Sequence, residues 1–134
     1  TGAGRADPVL SPLGEESQVF QWHSRHFEIP ASAVQLATGE VCEQQAFRWG
    51  DKAYGFQFHL EMDQPLIERW LANPAYRAEL EMLSGSRDEA VIRTDTLLHI
   101  AAMQAQADAV FNNFLDLVGR PNRRIVLPSR EFGT

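Results

Sequence analysis

The chain has 134 residues, one Cys, four His and a formal net charge of −6, from 12 Lys and Arg against 18 Asp and Glu. The length suits one domain that buries roughly two-thirds of the surface its unfolded chain exposes, and 44% hydrophobic content excludes a disordered chain. The acid excess argues against a nucleic-acid binder, one Cys excludes an internal disulfide framework, and the longest purely apolar run, Ile100 to Met103, is far short of a membrane span. No leader peptide is visible, so a cytoplasmic setting is expected, although the chain opens on Thr1 rather than Met.

Thr1 to Ser17, rich in Gly, Pro and charge, reads as a loop or approach segment. Val19 to Trp22 is a short strand candidate, and Pro30 biases Ile29 towards extended geometry. Val34 to Ala37 is a second strand. Thr38-Gly39-Glu40 is a turn, Val41 to Trp49 a third strand, and Gly50-Asp51 a second turn, which together predict an antiparallel ladder. From Lys52 to His59 the sequence alternates. Tyr54, Phe56 and Phe58 fall on one face, and Ala53, Gly55, Gln57 and His59 on the other.

Beyond Asp63 the pattern turns helical. Asp63 is a cap, Pro65 suits an early helical position, and Leu66, Ile67, Trp70 and Leu71 form the apolar stripe. Asn73-Pro74 breaks this helix, a second runs from Ala75 to Leu83, and Ser84-Gly85 closes it. The third spans Asp88 to Val118, with Met103, Ala107, Val110, Phe114 and Leu117 recurring at helical spacing. Gly119 and Pro121 end it. Its stripe predicts packing on the sheet, with a dimer interface as the alternative. The tail from Asn122 is basic, then short and apolar at Ile125-Val126-Leu127. Strands first and helices last would by themselves indicate α+β.

His59 and Glu61 stand two apart at the end of the aromatic strand. A carboxylate beside a His can fix its tautomer and stabilise its cation, which is the base-and-orienter part of a nucleophilic triad. A purely structural His–acid contact fits the spacing equally. His23, His26 and Glu28 contain a His-x-x-His spacing that needs a third ligand to hold a metal. Residues three apart on an extended segment face opposite ways, so no metal is expected. His99 reads as a half-exposed surface His. Arg120, Arg123, Arg124 and Arg130 read as a solvated cluster with a weak case for a partner contact. Cys42, between Val41 and Glu43 in a strand pattern, reads as a small buried hydrophobe.

The string Gly55-Phe56-Gln57-Phe58-His59-Leu60-Glu61 resembles the Gly-x-Gln-Phe-His-Pro-Glu signature of class I glutamine amidotransferases, the Cys-His-Glu family. Val19 to Pro30 is similar to that family's His-Gly/Ser-Asp…Pro block. Val34-Gln35-Leu36-Ala37 and Cys42 to Phe47 are similar to its Leu-Ala…Gln-Ala-Phe stretch. The likeness covers about Asp7 to Leu71 and looks closest to stand-alone enzymes related to the amidotransferase domain of GMP synthase. Leu60 replaces the usual Pro, and Ser24-Arg25 replaces Gly-Asp.

The family's Gly-x-Cys-x-Gly nucleophile elbow is absent from the sequence, and Cys42 lacks the small flanking residues such an elbow needs. Thr1 to Gly14 is similar to the segment that follows the elbow region. The resemblance therefore implies an α/β, flavodoxin-like fold, strands first and then three helices. Residues 1–134 would be the C-terminal portion of a single amidotransferase domain, without the nucleophile, the oxyanion-hole loop or the first parallel strands.

It further implies hydrolysis of the glutamine side-chain amide to glutamate and ammonia through a Cys thioester in the complete protein. His59 would be the base and Glu61 its orienter. Ser24 and Arg25 would line the glutamine pocket, and His23 would pack beside it. No cofactor is implied. The implied partners are glutamine as substrate, the remaining half of the domain, an ammonia-accepting synthetase or domain, and homo-oligomeric association. The isolated chain is expected to be inactive. The rival readings are a γ-glutamyl amide or peptide hydrolase of the same fold, and a non-catalytic interaction module.

Overall fold

The computed structural model of the chain describes residues 1–82 and 89–119. The N-terminal stretch is more ordered than its composition predicts. Thr1 caps a one-turn helix α1 (Gly2–Ala6), its hydroxyl accepting from the Gly4 amide at 3.0 Å, and a 3-10 turn follows at Ser11–Leu13. What the loop reading missed is the partner. The Thr1 amine and hydroxyl both donate to the Leu36 carbonyl, and a Cβ on Gly4 would stand 2.1 Å from that same oxygen. Only glycine lets α1 lie this close to the sheet.

Three strands, β1 (Val34–Ala37), β2 (Ala46–Trp49) and β3 (Ala53–Phe56), form an antiparallel sheet in the order β1-β2-β3. The first is as predicted. The other two are shorter. β2 starts at Ala46, and Cys42 lies in the loop before it and not in a strand, its carbonyl accepting from the Gln45 side-chain amide at 2.8 Å. The β2–β3 hairpin turns at Gly50, whose φ of 61° is left-handed. β3 ends at Phe56 because its partners change. The Gln57 amide donates to the Gln45 carbonyl, but the His59 amide donates to the Phe20 carbonyl at 2.9 Å. The strand predicted over Val19–Trp22 is only that single bridge.

The two-faced alternation holds. Tyr54 stacks on Phe56, Phe56 meets Phe58 edge to face, and Tyr54 meets Phe114 edge to face. On the other face Gly55 lies under Phe47, where a Cβ would fall 2.3 Å from the ring.

Helix α2 (Gln64–Ala72) starts where Asp63 accepts the Leu66 amide at 2.7 Å, and it buries Ile67 and Leu71. Asn73 ends it and caps α3 (Pro74–Met82) through the Ala75 amide. The predicted end of α3 at Leu83, Ser84-Gly85 and the predicted start of the next helix at Asp88 lie outside the described residues. Helix α4 (Glu89–Val118) buries Met103, Ala107 and Val110, packs Phe114 on β3, and ends on Gly119 at φ 88°. Its stripe faces the core as read, while Leu97, Leu98, Phe111 and Leu115 are exposed. The Arg120, Arg123, Arg124 and Arg130 cluster and the Ile125-Val126-Leu127 run lie outside the described residues.

Asp7 ties these layers together. It accepts from the Val9 and Leu10 amides, from Arg48 Nε at 3.0 Å and from the Tyr54 hydroxyl at 3.4 Å, with its side chain 1% exposed. Burial, then the charge of Asp7 and its hydrogen bond, push the Tyr54 phenol up to about 12.

Candidate functional site

Two residues past the last β3–β2 hydrogen bond, the change of partner at Phe20 sets His59 at the margin of the sheet. Its ring stands edge-on to Trp70 of α2, with centroids 5.5 Å apart and planes at 81°, and edge-on to Phe20 at 6.2 Å. Phe20, Trp22, Trp70 and Tyr76 form one aromatic wall behind it. Trp22 is held in that wall by Nε1 donating to Glu79 of α3. The sequence offered Trp70 only as part of a helical stripe. No local pattern could have shown that residues 20, 22, 70 and 76 converge on one imidazole.

His59 Nδ1 lies 2.6 Å from Glu61 Oε1. A carboxylate can only accept, so Nδ1 carries the proton and Nε2 keeps its lone pair in the neutral ring. That tautomer suits a general base. The side chains are 27% and 55% exposed, so the pair is reachable from solvent. Burial raises the Glu61 carboxyl, but the hydrogen bond from His59, backbone hydrogen bonds at Glu61 and Leu60, and the His59 charge together hold it below the usual glutamate range.

Ser24 and Arg25 are exposed on the segment that runs past the His59 strand. This segment lacks a strand partner, and glutamine side chains fasten it instead. Gln57 accepts from the Phe27 amide and donates to the Arg25 carbonyl, both at 3.2 Å. Gln44 accepts from the Ile29 amide at 2.9 Å, and Gln21 donates to Gln45 at 2.8 Å. The sequence placed Gln57 on a strand face and in the signature string, and Gln21, Gln44 and Gln45 within similar stretches, but gave none of them this role. Each sits where a polar residue is ordinary, and only the fold shows that they serve as substitutes for a ladder.

An open groove of about 1290 Å³ borders this segment, lined in part by Phe20, Trp22, His23, Ser24 and Cys42. His59, Glu61 and Arg25 lie outside its lining. Cys42 is half-buried in the β1–β2 loop, with Sγ 3.7 Å from the Gln44 carbonyl. It lines the groove and is only half-buried, where the sequence reading expected a small buried hydrophobe in a strand. His23 touches Gln21 and the Arg25 carbonyl. Among the described residues no three His, Cys, Asp or Glu side chains converge as a metal site would require, and no helix is long and apolar enough to cross a membrane.

No protein-family model matches the chain. In sequence it is similar to a glutamine amidotransferase-like protein, YfeJ, of Salmonella typhimurium, 32% identical over 68 residues, which is 51% of this chain and 28% of that protein. In structure it is similar to a glutamine amidotransferase from Thermotoga maritima, with TM-score 0.63 and 30% identity, covering 73% of this chain and 40% of the other. It is also similar to a glutamine amidotransferase from Methylobacillus flagellatus, with TM-score 0.72 and 26% identity, covering 87% and 50%. The α/β fold implied by the resemblance stands, and the chain spans half or less of the length of these relatives.

Proposed function

We propose that the chain is the part of a class I glutamine amidotransferase that carries the general base and its orienter. The observation behind this reading is the 2.6 Å contact of His59 Nδ1 with Glu61, which leaves Nε2 as the basic nitrogen. The likeness to glutamine amidotransferases supplies the reaction class.

In that reading the nucleophile is a Cys thiol on the remaining half of the domain. His59 Nε2 takes the thiol proton, and the thiolate attacks the side-chain amide carbon of glutamine. The imidazolium returns the proton to the departing ammonia, and His59 then activates water against the γ-glutamyl thioester, which releases glutamate and frees the thiol. Glu61 keeps the ring in one tautomer throughout. Ser24 and Arg25 border the glutamine, and ammonia passes to an acceptor on a partner enzyme or another domain. The relation to GMP synthase-type enzymes and a cytoplasmic location belong to the same reading.

Ammonia release from glutamine tests it. The chain alone is expected to give none above background. Joined to a half bearing a Gly-x-Cys-x-Gly elbow, it should release ammonia and take up a glutamine-mimicking affinity label. His59→Ala should then lower the rate by a factor on the order of 10²–10⁴. A chain active alone and indifferent to His59→Ala would overturn the proposal.

A further inference from the structure

The His59 ring is held by two very different partners. Nδ1 meets Glu61 at 2.6 Å, but the Glu61 side chain is more than half exposed and turns about three bonds. Fixing such a chain in one place costs entropy, and water screens an exposed ionic contact. A mobile carboxylate follows the ring as it turns. Glu61 therefore determines which nitrogen carries the proton and leaves open where the other one points.

The opposite holds at Trp70. It stands three residues after Ile67 and next to Leu71, which are 2% and 0% exposed, so the helix that bears it is anchored in the core. An indole turns about only two bonds, and four rings close on this one. Phe20 stands edge-on at 6.0 Å, Trp22 edge-on at 5.9 Å, His59 edge-on at 5.5 Å and Tyr76 tilted at 5.2 Å. Such ring pairs hold each other beyond the area they bury. Phe20 meets His59 as well, at 6.2 Å, so the imidazole lies in a corner made by two rings that touch each other. Rotation about its outer bond drives a ring edge into that packed corner.

Behind Trp70 the support comes from α3. That helix has no buried residue. It reaches Trp70 through the Tyr76 ring and through Trp22, which touches Tyr76 and donates from Nε1 to Glu79.

We propose that Trp70 is a positioning residue for His59. It sets the direction of Nε2, while Glu61 sets the tautomer. The two duties are separable, because one rests on a buried face of α2 and the other on an exposed carboxylate. In the amidotransferase reading, on which a role in the reaction rests, that direction decides whether Nε2 meets the thiol and the departing ammonia. The restraint of the ring does not depend on that reading.

Nuclear magnetic resonance of the chain labelled with ¹³C and ¹⁵N in histidine tests it at about pH 8.5, above an ordinary histidine titration. Nitrogen shifts read the tautomer, and ring-carbon relaxation reads the order of the ring. Trp70→Leu should keep the His59 proton on Nδ1 but lower the ring order parameter to below about 0.6, the range of mobile groups. Glu61→Gln should do the reverse, mixing the tautomers of a ring that stays ordered. Trp70→Phe should restore most of the order, because a ring returns to the corner.

The His59 amide, bonded to Phe20, shows in each variant whether the site is still folded. Where Trp70→Leu loses that bond, Tyr76→Ala takes its place. Tyr76 touches Trp70 from a helix without buried residues, so its removal should spare the core and still loosen His59 through Trp70. A His59 ring as ordered in folded Trp70→Leu, or failing that in Tyr76→Ala, as in the unaltered chain would overturn the proposal. So would loss of tautomer and order together in Glu61→Gln.

In a complete enzyme that releases ammonia, Trp70→Leu should lower kcat by about 10²-fold with KM little changed. An unchanged kcat there would overturn the part of Trp70 in the reaction. Glutamine enters none of the resonance readouts, so failure of the amidotransferase reading would show separately, as an intact restraint in a protein that releases no ammonia.

Discussion

His59 is fixed by three kinds of contact: its amide on Phe20, its ring edge-on to Trp70 and Phe20, and its Nδ1 on Glu61. The first two set where the imidazole sits, and the third sets which nitrogen is basic. Glu61→Gln separates these roles. The amide is neutral, so it no longer holds the ring proton on Nδ1 or stabilises the cation. If the chain serves in the amidotransferase proposed above, the glutaminase rate should fall by a factor on the order of 10²–10⁴, with the His59 amide still protected from exchange. A fall in rate accompanied by loss of that protection would assign Glu61 to structure.

Glu61 also makes a pH prediction. Its folded carboxyl is held low, so its contribution is present above the unfolded glutamate value and fades as pH falls through the lower folded one. More than half of the side chain is exposed, which keeps the stability effect small. The measurement is therefore the carboxyl ¹³C titration of Glu61, expected to have its midpoint below that of an ordinary glutamate. His59→Ala should move the midpoint back up.

At the scale of elements, α2 links a local signal to the site. Asp63 and Pro65 fix where the helix begins, and its register then places Trp70 against His59 while Ile67 and Leu71 enter the core. Asp63→Ala leaves the Leu66 amide without its cap and should cost about 1 kcal/mol. Urea denaturation reads the loss, and Trp fluorescence shows whether the aromatic wall loosens with it. An unchanged midpoint would mean that packing alone holds this end of α2. The segment from Phe20 to Ile29 is the opposite case. No ladder fixes it, and its place depends on glutamines contributed by the β1–β2 loop and the end of β3.

Across the whole molecule, the buried Asp7 joins the end of α1 and the 3-10 turn to β2 and β3. Asp7→Ala would strand two buried amides and the Arg48 guanidinium. Breaking such a pair costs about 3–5 kcal/mol, and the partial exposure of Arg48 places the loss towards the lower end. The urea midpoint of the variant measures it, and a loss below about 1 kcal/mol would show that the cluster is peripheral. The exposed apolar residues of α4 and the open groove also belong to this scale.

The sequence by itself determined what depends on near neighbours. Alternation placed Tyr54, Phe56 and Phe58 on one face, and turn glycines set the hairpin. Asp63 and Gly119 marked helix ends, and the two-residue spacing brought His59 to Glu61. Its errors share one physical cause. Val19–Trp22 has strand-forming residues but meets only His59 across a single bridge. Thr1 to Ser17 looked like a loop because its stabilising partners, Leu36, Arg48 and Tyr54, are distant in sequence. Tertiary structure alone decided the aromatic wall and the glutamines that fasten the segment carrying Ser24 and Arg25, because each needs side chains from separate parts of the chain to meet.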